Sequence, residues 1–562
     1  MDKGAASIKC IADLLIKNGL LVDPLRETAE RMDLSIKDGR ILALSDSGAR
    51  EVIDAEGCYV SCGFIESHLH VEGLHLLPGH YFRAFLAHGT TTIVTDLHEI
   101  ANAGGMYGLR WYLSLIDEVP LDLFVMAPSC VPSSPHEWGA AKIGAGDLRR
   151  LQRMRRVIGL GEVMDMRAVM RRQKTIMRKI ALFEGKPVDG HAPGLTGNDL
   201  DLYMSAGIYS DHESTSLREG KEKLKRGMHL FLRQGSVARD LDKLLPLVRP
   251  ANMANLSLCT DDLSSKDLYE SGHLDRLVSR LVQSKVPLFR ALRLVTGNPA
   301  AYFNLNDRNA PVPGRKADLV VFDNPAEMHM RATVKNGKVA YREGEDIGAV
   351  RETRPAPAFS GLNVAPFRKE DLRRKATGKS MRAIGVREGT IITDDLAIDA
   401  RTEDGYLIAD HERDLVFAYV FDRYRADAAY GSGLVHGFAL KGGALGTTYA
   451  HDSHNLLIVG DNGEDIYEVF CLLRACGGGM AASCRGSGLV MPMPYFGIIS
   501  HLDAPALRDK ERGLDGLVRR MGVRLLNPFF QMSFLSLPVI PALRLTTKGL
   551  FHVGTSRYVE DG

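Results

Sequence analysis

The sequence predicts an α/β protein in three parts: a (β/α)8 TIM barrel over 63–304, a small β domain formed by the N-terminal and post-barrel segments (1–62 and 305–365), and a C-terminal α+β domain over 366–562. Three observations lead there. At 562 residues the chain exceeds the roughly 250–300 at which single hydrophobic cores stop growing, so more than one domain is expected. From residue 63 to about 301, short apolar runs alternate with longer helical stretches, the rhythm of βα units around a parallel sheet. On both sides of that stretch the pattern changes to short strands punctuated by turn dipeptides.

Taken in order, the apolar runs over 12–22 and 34–44 are broken at Asn18-Gly19 and Asp38-Gly39, dipeptides that favour hairpin turns, so both read as small β elements. Eight barrel strands are then expected near 63–70, 91–96, 121–127, 157–163, 187–191, 207–212, 228–234 and 255–261. A run of that length matches the ~250 residues typical of a (β/α)8 barrel, although a doubly wound sheet shares the same alternation. After the barrel, 311–323 and 332–340, with its Asn336-Gly337 turn, resume the hairpin style and complete the small β domain. A proline-rich stretch over 351–367, with Pro355, Pro357 and Pro366, marks the next boundary.

Composition narrows the function classes. Hydrophobic residues make up 45% and charged residues 25%, ordinary for a globular protein. With 71 basic and 69 acidic residues the formal charge is +2, so neither nucleic acid nor an anionic membrane is expected as a partner. Basic residues do accumulate over 149–179, and that run reads as a solvated helix face rather than an anion-binding stripe. Eight scattered cysteines form neither a disulfide framework nor paired zinc ligands. The start of the chain, 1–9, lacks the apolar stretch of a signal peptide, so a cytoplasmic location is expected.

The candidate chemistry lies at the strand ends. His68-Leu69-His70 closes the first barrel strand, and because strand side chains alternate, the two imidazoles point to one side. Other expected strands also end in metal-ligand residue types: Glu162 in GLGEVM, His191 in VDGHAPG, His212 in SDHE and Asp261 in CTDD. Barrel active sites are built at the C-terminal strand ends, so these distant residues are expected to meet there. Four histidines and two carboxylates without thiolate suit one or two divalent cations, with Zn, Mn and Fe as candidates. Glu162 is the natural bridge between two ions, because a carboxylate can offer one oxygen to each.

Several stretches carry a family resemblance: VSCGFIESHLHVE, AHGTTTIVTDLHEIAN, MAPSCVP, GLGEVMD, GKPVDGHAPGLTGNDL, AGIYSDHES, CTDD, NPAAYF, PGRKADLVV, AHDSHN and SFLSLPVIPALRLT. In this order they resemble the adenine deaminase family of the amidohydrolase superfamily, over nearly the whole chain. The resemblance implies that His68, His70 and Asp261 bind one ion, that His191 and His212 bind the other, and that Glu162 bridges them, with Mn as the first choice of metal and Fe or Zn as alternatives. It implies purine salvage, a small-molecule purine as partner, and a homo-oligomer. Asp96, His98 and Glu99 match the family's second-strand segment and read either as residues beside the metal, facing substrate, or as a turn with a helix cap.

The chain departs from the family pattern at Val71-Glu72-Gly73-Leu74-His75, a loop expected to border the pocket, and at 423–433, where a histidine-rich stretch is replaced. His451-Asp452-Ser453-His454-Asn455 is kept. That motif reads as a hydrogen-bonded domain interface, or as a second metal cluster or substrate gate. The expected reaction is hydrolysis of adenine to hypoxanthine and ammonia by metal-activated hydroxide. Asp261 is the proton carrier, with Glu162 beside it, and Asp262, pointing the other way, is the alternative base. Rival readings are deamination of an N6-substituted adenine or another amino-heterocycle, hydrolysis of a cyclic amide, and a non-catalytic scaffold.

Overall fold

Turn chemistry sets the first sheet. In the computed structural model, which describes residues 11–45, 48–348, 362–376, 378, 380–426 and 430–560, Asp38 and Gly39 take φ of 49° and 75°. Two successive left-handed residues are what a two-residue hairpin turn requires, and here they join the strand Thr28–Lys37 to Arg40–Ala43. Asn336 and Gly337, at 51° and 74°, do the same between His329–Lys335 and Lys338–Arg342.

Asn18-Gly19 corrects the expectation of a turn, because both residues lie inside one strand, Ala12–Asp23. Only Asn18 is left-handed, at 58°, and the register slips between Ile16 and Gly19, so the dipeptide forms a β-bulge. Gly19 is there for close approach: a Cβ would lie 2.7 Å from Val60 Cγ2. The expected polar start at 1–9 and the prolines Pro355 and Pro357 lie outside the described residues.

The two ends of the barrel segment share one sheet. The strand Tyr59–Cys62 pairs in parallel with Ala12–Asp23 on one side and antiparallel with the post-barrel strand Leu319–Asp323 on the other. Eight parallel strands follow Tyr59–Cys62. Five pair in sequence, Phe64–Leu69, Thr90–Asp96, Asp122–Ala127, Val157–Val163 and Val188–Gly190, and three more pair as Ser210–Asp211, His229–Arg233 and Leu256–Cys259. The ring closes where the last strand runs out against the first: Asp261 N donates to His68 O at 2.9 Å and His70 N to Asp261 O at 3.0 Å. The fold is thus a (β/α)8 barrel, and its closing seam runs through three of the expected ligands.

The C-terminal sheet has eight strands in the order Asp394–Asp399, Ser380–Gly385, Tyr430–His436, Leu415–Phe421, Leu456–Gly460, Ala444–Thr447, Gly479–Cys484 and Ser487–Pro492. Its central strand Leu415–Phe421 is buried on both faces. Phe417, Tyr419 and Phe421 pack with Phe470 and Leu473 of the helix Gly463–Cys476, whereas Val416, Ala418 and Val420 join the same apolar cluster as the barrel residues Leu69, Val71 and Leu74. Strand alternation therefore gives this domain one face for its own helix and one for the barrel. At about 1.5–3 kcal/mol per fully buried large apolar side chain, the second face fixes the domain against the site.

Candidate metal centre

On the strand Phe64–Leu69 and its extension, Glu66, His68 and His70 share one parity and one side. Glu66 is buried beneath the site, accepting from His68 N at 3.0 Å and Thr260 Oγ1 at 2.8 Å, and lies 3.0 Å from His273 Nε2. It ties the first strand to the last. The imidazoles above it converge: His68 Nε2 lies 3.1 Å from Glu162 Oε1 and 3.3 Å from Asp261 Oδ1. His70 Nε2 lies 2.9 and 3.2 Å from the same two oxygens. The other Glu162 oxygen is 2.8 Å from His191 Nδ1 and 3.6 Å from His212 Nε2. Glu162 thus turns one oxygen to each of two donor sets, and all six side chains are buried.

The ring orientations are held from outside. His70 Nδ1 faces Asp96 O at 3.0 Å, and Asp96 Oδ2 accepts from Glu162 N at 2.9 Å. A Cβ on residue 161 would lie 2.0 Å from that Asp96 oxygen, so only glycine lets the carboxylate reach the strand. Arg233, at the end of the seventh strand, is fully buried and binds Glu213 and, at 3.0 Å, Asp261 Oδ2. It leaves Asp261 Oδ1 turned to the histidines. Asp261 itself sits at φ 59°, a left-handed position just past the strand.

Electrostatics follow from this crowding. Burial works against charge on His68, but the Asp261 and Glu162 carboxylates beside its ring hold its pKa up at about 10. His70 is raised by the same partners against the same burial. Burial likewise opposes the charge on Glu162, yet the His212 field, the His191 hydrogen bond and the close His68 and His70 rings keep it well below the usual carboxylate range; His68, His70, His212 and Arg233 do so for Asp261. Without a cation the neighbouring carboxylates favour the protonated form of His68, His70 and His191, and a divalent ion would displace those protons. The donor set fits such an ion: His68, His70, Glu162 and Asp261 form one group and Glu162, His191 and His212 another, with donor atoms in each within 4.8 Å of one another. His68 Nε2 and Glu162 Oε1 are buried without a hydrogen bond of proper geometry.

The remaining expected site residues lie around this core. Glu72 accepts from Ile100 N at 3.1 Å, and burial raises its pKa to about 7. His75 faces Ile498 O at 2.9 Å and packs on Tyr449 and Phe530, so the divergent loop is roofed by the C-terminal domain. His98 Nδ1 lies 3.7 Å from Asp96 and 3.9 Å from Glu162. Glu99, Asp262, His451 and His454 gather in a neighbouring cluster that also holds Asp452. Sequence reasoning missed Glu66, Glu213 and Arg233. Glu66 had a readable signal, its i, i+2, i+4 parity with the two histidines, and Arg233 another, a charge ending the apolar run LFL.

The chain matches the Amidohydrolase family over residues 59–341 and the Adenine deaminase C-terminal domain over 390–557. It is 35% identical over 545 residues to a protein named adenine deaminase from Methanothrix thermoacetophila, covering 96% of this chain and 95% of that one. A second adenine deaminase, from Dehalococcoides mccartyi, is 36% identical across 98% of this chain and 96% of its own. A third, from Syntrophobacter fumaroxidans, is 37% identical with the same two coverages. No helix among the described residues is long and apolar enough to cross a membrane.

Proposed function

Because the chain belongs to the adenine deaminase family of amidohydrolases, we propose that it hydrolyses adenine to hypoxanthine and ammonia at the Glu162 centre. The observation that carries this reading is the placement of Glu162, with one oxygen toward His68, His70 and Asp261 and the other toward His191 and His212. Family membership implies a divalent metal. We read two ions, shared through Glu162, with Mn first and Fe or Zn as alternatives, because imidazole and carboxylate donors without thiolate suit these metals. When bound, the metal acts as a Lewis acid and makes water a nucleophile near neutral pH.

The protein's own groups then move the protons. Water adds its oxygen to C6 of the purine, and Asp261 Oδ1 takes the proton released. The same carboxyl returns it to the exocyclic nitrogen, the C6–N bond breaks, and ammonia leaves. Arg233 holds Asp261 Oδ2 throughout, so that one oxygen stays oriented while the other cycles. Glu162, Asp261 and the four histidines would hold the metal, and the C-terminal roof over His75 keeps bulk water out.

The same centre could serve an N6-substituted adenine, a reading that the Gly73–His75 loop motivates: a Cβ at Gly73 would already sit 3.3 Å from Tyr449 Oη and 3.4 Å from Phe530. Presenting the Mn-loaded protein with adenine and N6-methyladenine separates the two. Ammonia released from adenine at the higher kcat/KM supports adenine as substrate; faster release of methylamine from the methylated purine overturns it.

A further inference from the structure

A second buried glutamate is ringed by imidazoles. Glu99, at the start of the helix His98–Ile116, is fully buried, and neither of its carboxylate oxygens makes a hydrogen bond among the described residues. Neighbours are not lacking: His451 Nδ1 touches Oε1, His454 Nε2 lies 2.5 Å from Oε2, and His98 Nε2 lies 3.5 Å from Oε1. The atoms crowd together at angles unsuited to sharing a proton, as His68 Nε2 and Glu162 Oε1 do in the first centre.

Two further carboxylates complete the cluster. Asp262 Oδ1 is 3.8 Å from His451 Nε2, and Asp452 Oδ1 is 3.8 Å from His98 Nε2 and 3.9 Å from His451 Nδ1. Both Asp452 oxygens, Asp262 Oδ1, His451 Nε2 and both ring nitrogens of His454 are buried without a hydrogen bond. Among the described residues no lysine or arginine pairs with Glu99, Asp262 or Asp452. Three carboxylates this deep are costly to keep unless they bind cations or hydrogen-bond donors. The donor atoms of His98, Glu99 and Asp452 lie within 4.8 Å of one another, and so do those of Glu99, Asp262 and His451.

We infer that this cluster is a further divalent-cation site, separate from the Glu162 centre and shared between two domains, with Glu99 as the common ligand. His98, Glu99 and Asp262 come from the barrel, and His451 and Asp452 from the C-terminal domain. Its mixed imidazole and carboxylate donors select the same class of ion as the first centre, Mn, Fe or Zn. An ion held here cross-links the domains, so its binding free energy stabilises their docking. His98 joins the centres, with Nδ1 toward Glu162 and Nε2 toward Glu99 and Asp452. The inference goes beyond the deaminase reading and stands whichever substrate the Glu162 centre takes.

The test is anomalous diffraction at the Mn edge from crystals of the full-length, Mn-loaded protein. A peak within coordination distance of Glu99, resolved from density at Glu162, is the expected result. A map with no peak there overturns the inference, and density at Glu162 in the same map shows that the deaminase reading survives it. Metal analysis gives an independent readout: Glu99→Gln and Asp452→Asn should each lose about one ion per chain and keep those at Glu162. A folded variant that keeps the full wild-type metal content also overturns the inference, and if a variant fails to fold, the wild-type map decides.

Discussion

Glu162 and Glu99 are both buried glutamates surrounded by histidines, yet they are built in opposite ways. Glu162 and the five side chains around it all come from the barrel, each at or just past a strand end, and its hydrogen-bonded seam fixes their spacing. The cluster around Glu99 exists only where the C-terminal domain seats His451, Asp452 and His454 against the barrel's second helix. The first centre is therefore a property of one domain, and the second a property of docking. Substitutions should separate the two.

The largest effect is expected at the proton carrier. Asp261→Asn should lower kcat by about 10²–10⁴, the range for a general acid–base group, while the protein stays folded. Steady-state ammonia release beside metal analysis checks this, and near-normal turnover would remove Asp261 from the role. Next comes Arg233, the buried cation that serves Glu213, Asp240 and Asp261. Arg233→Met leaves buried carboxylates unpaired, so a loss of about 3–5 kcal/mol in urea unfolding is expected, together with reduced turnover.

A smaller and more selective effect is expected at the domain interface. Asn455 Nδ2 reaches Glu137 Oε1 at 3.2 Å and Trp138 O at 2.9 Å, linking the HDSHN motif to a barrel loop. Asn455→Ala should cost about 1–3 kcal/mol in thermal unfolding and deplete metal at Glu99 more than at Glu162. Equal depletion of both would break the distinction between the centres.

The last effect is one of pH, confined to a single buried carboxyl. Burial raises the Glu137 carboxyl to about 7, against the bonds it accepts from Trp138 and Thr547. A carboxyl whose folded pKa lies above its unfolded value adds stability that is complete below about 4.5 and is lost as pH rises through about 7. The stability of Glu137→Gln relative to wild type should therefore shift in the variant's favour between pH 5 and 8, by up to about 3 kcal/mol. A pH-independent gap in melting temperature would contradict this.

These contrasts also explain what was legible beforehand. Period-2 alternation and the strand-end rule placed His68, His70, Glu162, His191, His212 and Asp261 in one neighbourhood, because those regularities are local. The family resemblance added the division into two donor sets. Glu213 escaped because one member of a buried ion pair looks in sequence like an ordinary surface charge, whereas its partner Arg233 was marked by the apolar run LFL before it. The Asn18-Gly19 bulge escaped because only the pairing partner, through Val60, decides whether left-handed Asn18 turns the chain or kinks it. The HDSHN motif was visible, but its two uses were not separable: Asn455 serves the interface, while His451, Asp452 and His454 face Glu99 across some 350 residues of intervening chain.

The account rests on adenine hydrolysis depending on a metal held around Glu162, and the most direct measurement is ammonia release during titration of Mn into chelator-treated protein. The chelated protein should be inactive, and turnover should rise with metal and level off once the Glu162 centre is filled, with hypoxanthine formed in equal amount to ammonia. Full activity in metal-free protein, or no hypoxanthine from a folded protein whose Glu162 centre is shown to be loaded, would contradict it.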